Sequence, residues 1–257
     1  METLKTGPNL HNPPGLKKTR IANSKSEERF MELTYFGHSC FLLETNGKKI
    51  LIDPFISPNE LASEIDVNDI RCDYLLLSHG HEDHVADVDA VLKNNKDCKV
   101  VSNFEIIGWI QGKGHENVHP MNHGGKFEFD FGSVKYVNAV HSSVLPDGTY
   151  GGNPGGFVFE SEGKTIYYAG DTALTMDMQL IGTYSKPDLA ILPIGDNFTM
   201  GVDDAIICSD FIKCDNVIGM HYDTFPPVKI DHEEAKTKFN KAGKNLELME
   251  IGSKKAY

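Results

Sequence analysis

The seven residues Ser78-His79-Gly80-His81-Glu82-Asp83-His84 hold three histidines and two carboxylates directly after the apolar run Tyr74-Leu75-Leu76-Leu77. Such a cluster is costly to bury unless something binds it. A metal ion, a proton relay and a solvated loop are the three uses open to it. Neutral imidazole and carboxylate are the donor set for Zn2+ and similar ions. His79 and His81, two residues apart, can point one way, while Asp83 and His84, at the start of a following helix, can point towards a second site. Four ligands are too many for one ion that keeps an open position and too few for two. Partners therefore have to come from elsewhere in the chain.

Three stretches qualify, each at the end of an expected strand: Val140-His141-Ser142, Ala169-Gly170-Asp171-Thr172 and Gly219-Met220-His221-Tyr222. Each sets one ligand-capable residue where a strand runs out, which is the placement a shared site needs. His38, in Gly37-His38-Ser39, is suited to orienting a ligand or donating a proton, and equally to packing as a satisfied histidine. Asp53, before Pro54, suits the fixing of a histidine tautomer, with simple strand termination as its rival role. His115, His119 and His123 lie in a Gly-rich stretch and read as loop residues. Residues 150–156, Tyr-Gly-Gly-Asn-Pro-Gly-Gly, read as a flexible turn that can border a substrate. The chain holds no G-x-S-x-G elbow for a serine nucleophile.

The elements that must position these residues follow from hydrophobic periodicity. Strands are expected over 32–36, 40–44 and 49–53, with an Asn46-Gly47 turn between the last two. Further strands are expected over 74–78, 99–102, 134–140, 157–160, 165–169, 188–193 and 217–220, and a closing strand over 246–251. Val85, Val88, Val91 and Leu92 recur at helical spacing. Helices are also expected over 105–111, 202–213 and 233–242. The last has Asp231 as N-cap, Glu234 three residues later and Gly243 just past its end. One internal echo stands out. Residues 41–50 and 157–166 both match F-x-x-E-[ST]-x-G-K-x-I, and each is followed within a few residues by an aspartate, Asp53 or Asp171. Two β-rich halves stacked face to face, with helices outside, make an α+β fold, a four-layer αββα sandwich spanning residues 31–257.

Composition bounds the function classes. The chain has 257 residues, 40% of them hydrophobic and 24% charged, with a net charge of −12. That charge argues against a nucleic-acid partner, and no apolar run approaches the roughly 18 residues of a membrane span. Five cysteines without C-x-x-C spacing read as reduced core thiols, so a cytoplasmic location is expected. Residues 1–30 carry Pro8, Pro13, Pro14 and Gly15 and no hydrophobic period, and read as a flexible arm without the apolar core of a secretory signal. A small-molecule substrate is the expected partner, and homo-oligomerisation is left open.

The H-x-H-x-D-H motif at residues 79–84, taken with His141, Asp171 and His221 in that order, resembles the metallo-beta-lactamase superfamily. Gly37-His38-Ser39, the stretch Gly195-Asp-Asn-Phe-Thr-Met-Gly201 and His221-Tyr-Asp-Thr-Phe-Pro226 resemble its branch of uncharacterised metal-dependent hydrolases related to L-ascorbate-6-phosphate lactonase. The resemblance covers residues 31–251. It implies the αββα fold and a dinuclear centre of two divalent metal ions, with Zn2+ favoured and Mn2+, Fe2+ and Ni2+ open to the same donors. Carried over by motif, His79, His81 and His141 hold the first ion, Asp83, His84 and His221 the second, and Asp171 bridges both. Asp83 and His38 are the catalytic candidates. An aspartate at 171 fits the wider hydrolase group better than the antibiotic-hydrolysing members, which often carry a cysteine there.

Such a pair of ions lowers the pKa of a bridging water from 15.7 towards 7, and the hydroxide attacks a carbonyl or phosphoryl centre. The expected function is thus a metal-dependent hydrolase of a lactone, an ester or amide, or a phosphodiester. A nuclease of the same superfamily, a diiron redox protein and a non-catalytic binding module are the alternatives. The acidic charge, the presence of His81 and the full ligand set weigh against them in turn.

Overall fold

A computed structural model describes residues 31–257. The arm expected over residues 1–30 lies outside the described residues. The chain opens with β1 (Glu32–Gly37), β2 (Cys40–Thr45) and β3 (Lys48–Ile52), and continues through β4 (Tyr74–Leu76), α1 (Glu82–Val85), α2 (Val88–Asn94), β5 (Lys99–Asn103), α3 (Phe104–Gly112) and β6 (Val118–Met121). Then come β7 (Lys126–Phe129), β8 (Gly132–Asn138), β9 (Gly155–Ser161), β10 (Lys164–Tyr168), α4 (Met178–Tyr184), β11 (Leu189–Pro193), α5 (Val202–Ile212) and β12 (Asn216–Met220). The chain closes with α6 (His232–Lys241), β13 (Asn245–Glu247) and β14 (Lys254–Ala256).

These strands form two seven-stranded mixed sheets, ordered β14-β1-β2-β3-β4-β5-β6 and β13-β12-β11-β10-β9-β8-β7. The period-two alternation of strands divides their side chains between two cores. Phe41 and Leu43 of β2, with Ile50 and Ile52 of β3, face the second sheet and pack with Tyr136, Phe157, Phe159 and Ile166. Cys40, Leu42 and Leu51 turn the other way and pack with Val88 and Val91 of α2 and Ile106, Ile107 and Ile110 of α3. On the far side of the second sheet lie Met178 and Ile181 of α4, Ala205, Cys208 and Ile212 of α5, and Phe239 of α6. The layers are therefore helix, sheet, sheet, helix, as expected.

Three details depart from the sequence-based expectation. The expected helix from Val85 to Leu92 breaks at Asp87, because its buried carboxylate accepts hydrogen bonds from the Ile56 (2.6 Å) and Ser57 (2.9 Å) amides instead of staying in a regular helix. The expected strand 246–251 stops at Glu247. A turn through Gly252, at φ 82°, then carries the chain across to the other sheet, where β14 pairs with β1. His119, read as a loop residue, sits in β6, and β6 tolerates Pro120 because it is an edge strand that needs no second ladder of amide donors.

Candidate metal centre

Six strand ends deliver the site, all at the same end of the two sheets. His38 follows β1, Asp53 follows β3, and the 78–84 cluster leads from β4 into α1. From the second sheet, His141 follows β8, Asp171 follows β10 and His221 follows β12. His38, Asp53 and His221 adopt left-handed backbone conformations, with φ of 55°, 45° and 57°. Such a conformation costs a non-glycine residue about 1–2 kcal/mol, and strain of this kind gathers at functional sites. It turns each side chain out of its strand direction into the space between the sheets. The His221 amide donates to the His38 carbonyl at 2.9 Å, which ties the two sheets together at this end.

Among the described residues the donors form three groups, within each of which the candidate ligand atoms lie no more than 4.8 Å apart. Asp53, His79 and His84 overlap the other two, which are His79, His81 and His141, and His38, Asp83, His84 and His221. Asp171 lies between these last two. Its Oδ2 is 3.0 Å from His221 Nε2, 3.3 Å from His84 Nε2, 3.6 Å from His141 Nε2 and 4.0 Å from His79 Nε2. The seven residues expected as ligands thus come together, and His38 joins them through a 3.1 Å contact between its Nε2 and Asp83 Oδ2. The floor of the site, His79, His84, Asp171 and His221, is buried, whereas the side chains of Asp83 and His141 remain 26% and 13% exposed and mark its mouth.

Hydrogen bonds hold the outer nitrogens of four of these histidines, His38, His79, His81 and His84. Asp53 accepts from Ser78 (N, 2.7 Å) and Tyr168 (OH, 2.7 Å) and lies 2.8 Å from His84 Nδ1. Ser78 Oγ is 3.0 Å from His79 Nδ1, Ser142 Oγ is 3.2 Å from His81 Nε2, and Thr224 Oγ1 is 3.0 Å from His38 Nδ1. Backing of this kind fixes ring orientation and tautomer. Asp53 therefore does more than end a strand. Sequence reasoning missed Tyr168, Ser142 and Thr224. The alternation of β10 marks Tyr168 as inward-facing, but its partner lies on the opposite sheet, 115 residues away in the chain. By contrast, His115 and His123 turn outward to the carbonyls of Cys98 and Pro154, each at 2.8 Å, and neither joins a donor group among the described residues.

Electrostatics differ across the site. Burial drives the His79 imidazole well below the usual histidine range and also lowers those of His81 and His141, so this trio is neutral. Burial works against charge on His84 and His221 too. There it is outweighed by carboxylates: Asp171, Asp53 and Asp83 raise His84 well above the ordinary range, and Asp171 with Asp83 raises His221 to about 9. Burial opposes the charge of Asp171, yet His221 and His84 hold its carboxyl well below the usual range. Even so, Asp171 Oδ1, His84 Nε2 and His221 Nδ1 are buried without a hydrogen-bond partner.

The family model for the beta-lactamase superfamily domain matches residues 32–221, from the first strand to the last candidate ligand. The chain belongs to the metallo-beta-lactamase superfamily. Over 223 residues it is 57% identical to a UPF0173 metal-dependent hydrolase of Christiangramia forsetii, covering 86% of this chain and 98% of that protein. A UPF0173 metal-dependent hydrolase of Methylacidiphilum infernorum is 50% identical over 209 residues, 81% of this chain and 92% of that one. Among solved structures, the metallo hydrolase Igni18 of Ignicoccus hospitalis superposes with a TM-score of 0.80 at 34% identity, covering 89% of this chain and 98% of that one. An isothiocyanate hydrolase from Delia radicum gut bacteria shares the fold, with a TM-score of 0.72 at 22% identity over 88% of this chain and 99% of that one. The chain is a metal-dependent hydrolase, with the αββα sandwich of its superfamily. Among its described residues no helix is long and apolar enough to cross a membrane.

Proposed function

We propose that this hydrolase cleaves a carbonyl or phosphoryl centre of a small or medium-sized substrate with two divalent ions, Zn2+ foremost. His79, His81 and His141 would hold one ion, and Asp83, His84 and His221 the other, with Asp171 shared. The observation that carries this reading is the convergence of donors on Asp171, whose Oδ2 lies 3.0–4.0 Å from four imidazole nitrogens while its Oδ1 is buried without a hydrogen-bond partner. A buried polar atom without a partner costs about 1–3 kcal/mol. A cation held among those nitrogens would satisfy that oxygen. When bound, such ions act as Lewis acids that lower the pKa of water and neutralise a developing oxyanion.

The chain's own residues do the rest. Asp53 and Ser78 fix the rings of His84 and His79, so that each turns its Nε2 inward. His38, whose charge burial and His221 suppress to a pKa of about 4, stands between Thr224 and Asp83 and steadies the Asp83 carboxylate at the mouth. Burial opposes the charge of that carboxylate, yet His84, His221 and His38 hold it well below the usual carboxylate range, so Asp83 is ionised, as a ligand must be. The five buried free thiols support a reducing, cytoplasmic setting. The test is elemental analysis after reconstitution with excess Zn2+, alongside turnover on a panel of lactones, esters and phosphodiesters. Two ions per chain and hydrolysis of at least one member are expected, and a saturating stoichiometry of one overturns the paired-site reading.

A further inference from the structure

Seven chain segments surround the site: residues 36–39, 53–57, 78–84, 139–155, 169–177, 193–201 and 219–226. None contains a lysine or an arginine, although the chain has 25 of them, and together they carry eight carboxylates. Two divalent ions offset half of that charge. Beyond what metal ions and backbone amides provide, selective recognition of a phosphate or another anion draws on Arg forks or Lys ammonium groups; these segments offer neither, and Lys229 lines a separate pocket with Gly195 and Asn197. Lys113, which faces Pro146 across a small cleft, is held 2.9 Å from Asp89 and lies over the Trp109 ring.

The same segments expose apolar side chains. Val140, Val144, Tyr150, Met176 and Phe198 are each between 47% and 66% exposed. Thr172, next to Asp171, binds three of these segments together. Its Oγ1 accepts from the Val140 amide at 3.0 Å, and its carbonyl accepts from the Met200 amide at 2.9 Å, which seats the loop carrying Phe198. Val144 and Tyr150 bridge each other in a short hairpin, which lies against the histidine loop through a 3.1 Å hydrogen bond from the Gly80 amide to Ser143 Oγ. Exposed apolar groups on the segments that carry or adjoin the polar donors are the makings of a ligand-binding rim.

We propose that this rim selects a neutral carbonyl substrate, an ester, lactone or amide with an apolar substituent, over a phosphorylated or otherwise anionic one. The proposal rests on the hydrolase reading given above. In the reaction, water oxygen adds to the carbonyl carbon, the bond from the acyl carbon to oxygen or nitrogen breaks, and the leaving group takes up one proton that the water gives up.

Binding and turnover are read separately on the zinc-loaded full chain. By calorimetry, hexanohydroxamic acid should bind about tenfold tighter than acetohydroxamic acid, since its extra methylenes meet the rim. Phe198→Ala and Met176→Ala should each shrink that ratio about threefold at unchanged metal content. Phenyl phosphate should bind more weakly than hexanohydroxamic acid and should gain affinity in Phe198→Lys. Equal binding of the two hydroxamic acids, or tightest binding by phenyl phosphate, overturns the rim. For turnover, p-nitrophenyl hexanoate should be cleaved faster than bis(p-nitrophenyl) phosphate. Faster cleavage of the phosphodiester overturns the rim and leaves hydrolysis standing. Cleavage of no substrate, with the hydroxamate ratio intact, overturns the proposed carbonyl hydrolysis and leaves the rim standing.

Discussion

Asp171 is a single carboxylate within reach of both proposed ligand sets, so its removal should harm both. Asp171→Ala should lose at least one ion and at least about a thousandfold in turnover, equivalent to roughly 4 kcal/mol of transition-state stabilisation. The fold should survive, because the residue sits past the end of β10 and outside the apolar core. Two retained ions with near-normal turnover in the variant would refute the shared-ligand role. The protons make a second prediction. The neutral trio is ready to bind, whereas His84 and His221 carry charge in the metal-free site, with His221 near 9. Both values lie above the ordinary 6.5, so the charged pairing stabilises the metal-free fold fully below about pH 6.5 and fades as pH rises through the folded values. Metal binding has to displace those protons. Titration calorimetry in two buffers of different ionisation enthalpy should therefore show proton release at pH 7, concentrated in one of two binding phases, and total affinity should rise between pH 6.5 and 9. Buffer-independent heats would show that the pair binds already neutral. The expected ligands were legible because their types and strand-end positions are local facts. The joining of His38 to Asp83 was not legible, since it depends on the 221–226 turn bringing Thr224 to the other ring nitrogen.

Elements set these residues by stopping in unusual ways. Gly170, at φ 63°, turns β10 so that Asp171 points inward, and a β-carbon there would come within 2.6 Å of the Gly155 carbonyl oxygen. Gly170→Ala should cost about 2 kcal/mol, from left-handed strain and that clash together. At about 2–4 °C per kcal/mol for a chain of this size, thermal unfolding should drop by roughly 4–8 °C, and metal content should fall with it. An unchanged midpoint would mean that the turn relaxes freely. Long apolar strands and the capped α6 were readable, with Asp231 accepting from the Glu233 and Glu234 amides as its capping position requires. Short or edge elements were not. β7 is mostly exposed, and α4 spans seven residues without a side-chain cap, so neither leaves a strong period or a start signal. The end of the chain misled for a different reason. Leu246 to Ile251 is apolar at four of six positions and reads as one strand, and only the pairing of β14 with β1 reveals that the chain changes sheets.

At the scale of the molecule, the sequence echo is a structural repeat. In both β2–β3 and β9–β10 the hairpin register is the same, Phe41 opposite Ile52 and Thr45 opposite Lys48, then Phe157 opposite Tyr168 and Ser161 opposite Lys164. Antiparallel, antiparallel, parallel, parallel pairing runs through β1 to β5 and again through β8 to β12. The repeat extends to the chemistry. Each first strand is followed by a site histidine, His38 or His141, and each third strand by an aspartate, Asp53 or Asp171. One half supplies His141 and Asp171, both proposed as ligands, and the other supplies His38 and Asp53, which back Asp83 and His84. The two halves meet at the end away from the site, where the matching residues Thr45 and Ser161 are both buried and their hydroxyls lie 2.8 Å apart. Ser161 donates its proton to the Phe131 carbonyl, so Thr45 is the donor between the two hydroxyls. Thr45→Val keeps the shape and removes that donor, which should cost about 1 kcal/mol. The melting midpoint should fall by about 2–4 °C. Metal content and turnover should stay at wild-type values, because the hairpin turns lie at the opposite end of the sandwich from Asp53 and Asp171. Ser161→Ala strands the Phe131 carbonyl as well and should cost more, and adding Thr45→Val to it should cost little further, since the partner is already gone. Full additivity in that double variant would show that the two hydroxyls do not bond, and that the halves are held at this end by apolar packing alone.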